Sequence, residues 1–100
     1  MELKAGHILY VRIDYKIDDQ EETEQDGVAA MKYLESISEE RYLVAGVFGD
    51  MDLGEMQGAM ILFEAKNMED AKALCDNDPL MKKGLYRYEL YKWNMMIASR

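Results

Sequence analysis

Residues His7 to Ile17 alternate strictly, with His7, Leu9, Val11, Ile13 and Tyr15 on one side and Ile8, Tyr10, Arg12 and Asp14 on the other. A period of two is the signature of a strand. The nearly all-apolar side is expected to face helices, and the mixed side a wetter neighbour. The run DDQEETEQD, Asp18 to Asp26, puts six carboxylates in nine residues and reads as a solvated turn feeding a helix N-terminus, where negative charge is favoured. Thr23 and Asp26 stand three apart, as in a capping box, so a helix is expected from about Glu24 to Ser38. Ala30, Met31, Leu34 and Ile37 would form its buried stripe.

Tyr42 to Phe48 is a short apolar run rich in strand formers, and Gln57 to Ala65 is another. Joined through the loop Gly49 to Glu55, they predict an antiparallel hairpin. Asn67, with Asp70 three residues on, caps a second helix whose apolar positions Met68, Ala71, Leu74 and Cys75 recur at helical spacing; it ends near Asn77. Asp78 and Pro79 suit the N-cap and first position of a further short helix that Gly84 stops. Leu85 to Met96 reads as a long last strand, with Tyr86, Tyr88 and Leu90 on one face and Arg87, Glu89, Tyr91 and Trp93 on the other.

This order is βαββαβ, an α+β, ferredoxin-like plan: a four-stranded antiparallel sheet with two helices on one face, each crossover right-handed. The first strand is expected beside the third, and the fourth outside beside the second, which would keep Arg12 and Arg87 apart. The other sheet face is left bare. A bare face built from strands with apolar residues on both sides predicts a homodimer closed through that face, two sheets forming a barrel.

Composition narrows the class. One hundred residues at 49% hydrophobic suffice for one compact core, so residues 1–100 read as a single domain. With 12 Lys and Arg against 20 Asp and Glu the formal charge is −8, which excludes general binding to the phosphate backbone of nucleic acids. No apolar stretch is long enough to cross a bilayer, Met1 to Ala5 carries two charges, and Cys75 is the sole cysteine; a cytoplasmic protein with no membrane partner is expected. The nine methionines read as core filling.

Little in the chain looks like a reactive site. The segment DMDLGEMQGAMI, Asp50 to Ile61, begins like a calcium loop but has Gly54 at a ligand position, Glu55 where the turn glycine belongs and Ile61 in place of the bidentate glutamate, so it reads as a hairpin loop. No paired Cys and His set, phosphate-cradling glycine motif or activated nucleophile is present, Cys75 reads as inert core, and no cofactor is implied. Tyr10, Arg12, Tyr86 and Tyr88 remain as candidate ligand contacts, Arg12 either recognising a small anion or pairing with Asp14 or Glu89 at the surface. Asp78 and His7 remain as candidate acid–base groups. As an N-cap, Asp78 also has a purely structural role.

From Tyr42 onward the chain resembles the YCII-related family of dimeric α/β-barrel proteins. The likeness is carried by Ala45-Gly46, Gly58, Glu64-Ala65, the MEDAKAL of Met68 to Leu74, Asp78-Pro79-Leu80 followed by Gly84-Leu85, and Trp93-Asn94. It implies a homodimer of ferredoxin-like subunits with a small cavity between sheet and helices, and proton-transfer or elimination chemistry by a first-helix histidine working with the aspartate of the Asp-Pro pair. Counted from Tyr33-Leu34 that histidine position is Ala30; counted from Gly46 it falls near Ala29, and Val47 stands where a proline follows the glycine. The sole imidazole is His7. The expectation is therefore a small-molecule-binding protein, for an anionic or aromatic ligand, without the histidine-dependent reaction. The alternatives are an enzyme of that lyase-like type using Asp78, or a catalytically silent dimeric interaction module whose cavity is filled by side chains.

Overall fold

The computed structural model describes residues 6–17, 20–54 and 57–99. Its elements are β1 (Ile8–Lys16), α1 (Glu24–Glu40), β2 (Leu43–Phe48), a 3-10 turn (Met51–Leu53), β3 (Gly58–Phe63), α2 (Met68–Asp76), α3 (Pro79–Lys82) and β4 (Tyr86–Asn94). All are expected from the sequence except the 3-10 turn, which sits in the hairpin loop. Asp18, Asp19, Glu55 and Met56 lie outside the described residues, so part of the acidic run and of the calcium-like loop does too.

The caps account for the helix starts. Thr23 and Asp26 exchange both capping-box hydrogen bonds at α1, the Asn67 side chain accepts from the Asp70 amide at α2, and the Asp78 side chain accepts from Leu80 at α3, with Pro79 in the first turn. Gly84 ends the last turn with φ +72°, a conformation that favours glycine.

The strands pair antiparallel in the order β2-β3-β1-β4. The fourth strand therefore flanks the first, not the second as expected, and it opposes Arg12 with Leu90 and Asp14 with Tyr88. On the other side β3 opposes Arg12 with Ile61 and Asp14 with Ala59.

The two faces of β1 are the reverse of the expectation. Tyr10, Arg12 and Asp14 are buried on the helix side, where Tyr10 joins Ile61, Phe63, Ala71 and Cys75 in the core against Leu34 and Leu74. Leu9, Val11 and Ile13 line up with Trp93, Tyr91 and Glu89 of β4, while Val11 and Ile13 also oppose Leu62 and Met60 of β3. This apolar face has no helix over it, and Val44, Met60, Tyr91 and Trp93 are exposed along it. Counting apolar positions fails here because the charges on the mixed face neutralise one another.

Candidate functional site

Helix α1 is held at its two ends. Near its start, the buried Asp26 is ion-paired with Lys83 at the end of α3; toward its end, the Tyr33 hydroxyl donates to the carbonyl of Leu74, and Arg41, just past the helix, pairs with Asp70 of α2. The Lys83 contact and the capping bonds hold the Asp26 carboxyl at about 2. Between the clamps Ala30, Met31 and Leu34 face β1, β2 and β3 across a cleft of about 740 Å³, within the ~300–1,000 Å³ range of small-molecule sites. Its walls are largely apolar, with Leu43, Ala45, Ala59, Ile61 and Leu80 among them. Met31, expected to be buried, is exposed and lines this cleft.

Three ionisable side chains meet at one wall. Arg12 Nε and Nη2 each donate to one oxygen of Asp14 at 2.8 Å, the alternation of β1 having put both groups on one face. Arg12 Nη2 also lies 3.0 Å from Asp78 Oδ2. Asp78 Oδ1 is taken by the Leu80 amide at 2.9 Å, while no hydrogen bond is directed at Oδ2. Arg12 and Asp14 are each 3% exposed and Asp78 is 0% exposed, so this is not the surface ion pair expected for Arg12. Burial alone would favour a neutral Arg12, but the hydrogen bond and charge of Asp14 and the charge of Asp78 hold its pKa above the ordinary value. Burial, aided by the charge of Asp78, raises Asp14 despite Arg12.

Gly58 lets the start of β3 lie close to the β1 backbone at Asp14. At φ +149°, it sits where an added Cβ would come within 2.8 Å of the Asp14 carbonyl oxygen, so β3 can pass this close to β1 only with glycine there.

A second polar group lies where Lys16 of β1 opposes Tyr86 of β4. Both line the cleft together with Glu22. Burial first, then the adjacent Glu22 carboxylate, holds the Tyr86 phenol well above its ordinary range. Glu22 Oε1 is buried without a hydrogen-bond partner, so this part of the acidic run is not the solvated turn that was expected. The ammonium of Lys16 donates to the carbonyl of Gln20.

Of the candidate contacts, Arg12, Asp78 and Tyr86 thus share one cleft. Tyr10 packs against Phe63 in the core, and the Tyr88 hydroxyl is bonded to Asp76, its pKa pushed up to about 12 by burial and that bond. His7 precedes β1 at the end remote from the cluster, its carbonyl accepting from Met95, and is not among the residues lining the cleft. Ala30 lines the cleft, whereas Ala29 is exposed, so the position counted from Tyr33-Leu34 is the one that faces Asp14 and Asp78 across it. Cys75 is buried, and its thiol is pushed up to about 11 by that burial. Among the described residues no group of three or more His, Cys, Asp or Glu side chains is placed to hold a metal, and no helix is long and apolar enough to cross a membrane.

Sequence reading treated Asp14 only as an ion-pair partner and left Glu22 in solvent. The signal for Asp14 is its spacing of two from Arg12 on a strand. For Glu22 there is none short of the fold, since its neighbour Tyr86 comes from β4.

The sequence profile of the YCII-related domain matches residues 8–94. The chain belongs to the YCII-related family. A solved structure from Burkholderia phenoliruptrix, 5-chloro-2-hydroxyhydroquinone dehydrochlorinase in complex with 2,5-dihydroxybenzoquinone, aligns with a TM-score of 0.61 and 22% identity, over 85% of this chain and 92% of that one. At that identity the likeness is one of fold, and it accords with the four-stranded antiparallel sheet and two main helices of this YCII-related chain. No curated protein matches the chain significantly.

Proposed function

We propose that this YCII-related protein binds a small, largely apolar molecule bearing a phenolic hydroxyl in the cleft under α1, with Asp78 as the acceptor. The observation that carries the reading is the fully buried Asp78, a residue of the cleft lining whose Oδ2, 3.0 Å from Arg12 Nη2, has no hydrogen bond directed at it. A buried carboxylate oxygen is costly without a donor, and a ligand O–H supplies one. The charge of Arg12 is already matched by Asp14 and Asp78, so an anion is disfavoured there and a neutral donor favoured. The unfilled cleft tells against the silent module with a side-chain-filled cavity. The ring-shaped dihydroxylated ligand of the dehydrochlorinase supports the class of molecule. With Ala30 at the histidine position, the reading is binding and not histidine-dependent elimination.

The same reading takes the assembly to be a homodimer closed through the apolar face, on which Val44, Met60, Tyr91 and Trp93 are exposed.

Titration calorimetry with hydroquinone tests the binding reading. Saturable binding is expected, weakened at least about tenfold by Asp78→Asn, because the amide keeps the cap but is a weaker, uncharged acceptor. Ala45→Trp, which fills the cleft from β2, should abolish it. Absence of binding, or binding indifferent to both substitutions, overturns the proposal.

A further inference from the structure

The cleft has a second polar end, and the phenol reading leaves it unused. Four carboxylates line the cavity, Asp14, Glu22, Glu35 and Asp78, against two cations, Arg12 and Lys16. Arg12 is committed to Asp14 and Asp78, and the ammonium of Lys16 to a backbone carbonyl. Glu22 Oε1 and Asp78 Oδ2 are the two buried side-chain oxygens without a hydrogen bond among the described residues, and both residues line this one cavity. Two such acceptors in a single cleft ask for a ligand that donates at both ends.

Their separation can be read from the sheet. Asp78 is held beside Arg12, and Glu22 lies beside Tyr86, which opposes Lys16 on the neighbouring strand. Arg12 and Lys16 are four residues apart on β1, so at ~3.3 Å per residue the two ends are on the order of 13 Å apart at the backbone, and less for side chains that converge on the cleft. A single ring seated at Asp78 does not reach that far; a ring with a short arm does.

We propose that Glu22, with the Tyr86 hydroxyl beside it, forms a subsite for a protonated amine on a short arm, so that the ligand is a phenol carrying an aliphatic ammonium group. This rests on the reading of the cleft as a phenol site and adds the charge and position of the second group. An ammonium group brings three donors and a positive charge to a carboxylate whose Oε1 accepts no hydrogen bond. A carboxylate arm would instead meet Glu22 and gain only by drawing Lys16 away from Gln20.

Three probes of similar shape separate these outcomes by calorimetry: 4-ethylphenol with a neutral arm, tyramine with a cationic one, and 4-hydroxyphenylacetate with an anionic one. Tyramine should bind about tenfold tighter than 4-ethylphenol, 4-hydroxyphenylacetate should bind weakest, and Glu22→Gln should erase the tyramine advantage over 4-ethylphenol. Tyr86→Phe, which removes only a hydroxyl, should reduce the advantage in part. Equal binding of tyramine and 4-ethylphenol, or an advantage that survives Glu22→Gln, overturns the subsite while leaving the phenol site standing. Tightest binding by 4-hydroxyphenylacetate, lost in Lys16→Met, replaces it with an anion subsite. If none of the three binds, the phenol reading falls and the subsite with it.

Discussion

Arg12 Nη2 and Asp78 Oδ2 stand 3.0 Å apart with both side chains almost fully shielded from water, while the other oxygen of Asp78 caps α3. One carboxylate thereby ties the centre of β1 to the start of the last helix. The same residue lines the cleft under α1.

Removing the cation should be costly. Arg12→Met leaves Asp14 and Asp78 buried together without their shared partner, and breaking such a buried cluster costs about 3–5 kcal/mol. Denaturant unfolding reads this as a large fall in midpoint at unchanged slope. A loss below about 1 kcal/mol, the range of surface pairs, would mean that water reaches the cluster freely.

At Asp78 the two roles can be separated. A cap alone would cost about 1 kcal/mol on replacement by Ala and be largely restored by Ser. Because the residue is also a buried ion-pair partner, Asp78→Ala should lose more than a cap, and Asp78→Ser should recover only part of the loss. Full recovery by Ser in thermal unfolding would reduce Asp78 to a cap and remove its charge from the account.

The apolar face should be an interface. Trp93→Glu places a charge opposite Leu9 and beside Tyr91 on the sheet side away from the helices. Light scattering is expected to show a dimer for the native chain and a monomer for this variant. A native chain that is monomeric at micromolar concentration contradicts the barrel arrangement.

Asp26 gives a pH signature of known sign. Its carboxyl titrates at about 2 in the fold, held there first by the hydrogen bond to Lys83, against about 3.9 in an unfolded chain. A depressed acid contributes stability that is full above pH ~4 and lost as pH falls toward 2. The stability difference between the native chain and Asp26→Asn should accordingly be largest above pH 4 and vanish near pH 2. Asp14 acts in the opposite direction, since its raised pKa makes ionisation a cost that is relieved on acidification. A difference that is flat with pH would show that the Asp26 contacts do not form.

Local chemistry made the element order readable. Thr23, Asn67 and Asp78 each mark a helix start through a side-chain oxygen that only those few residue types offer, and period-two alternation marks β1 and β4. The facing of β1 was not readable that way. Hydropathy ranks Arg12 and Asp14 as solvent-seeking, whereas in the fold they neutralise each other, and Asp78, 66 residues downstream of Arg12, adds a second carboxylate beside the guanidinium. The cleft lies under α1, which is clamped at its two ends through Asp26 with Lys83 and Arg41 with Asp70, contacts with no sequence signature.

The most direct test of a binding cleft under α1 is an amide NMR titration of the native chain with hydroquinone. Saturable shifts are expected at Ala30, Leu34, Ala45, Ala59 and Leu80, which line the cleft, and none at Leu62, Tyr91 or Trp93 on the opposite face; shifts confined to that face, or no saturable shifts at all, would contradict a binding cleft under α1.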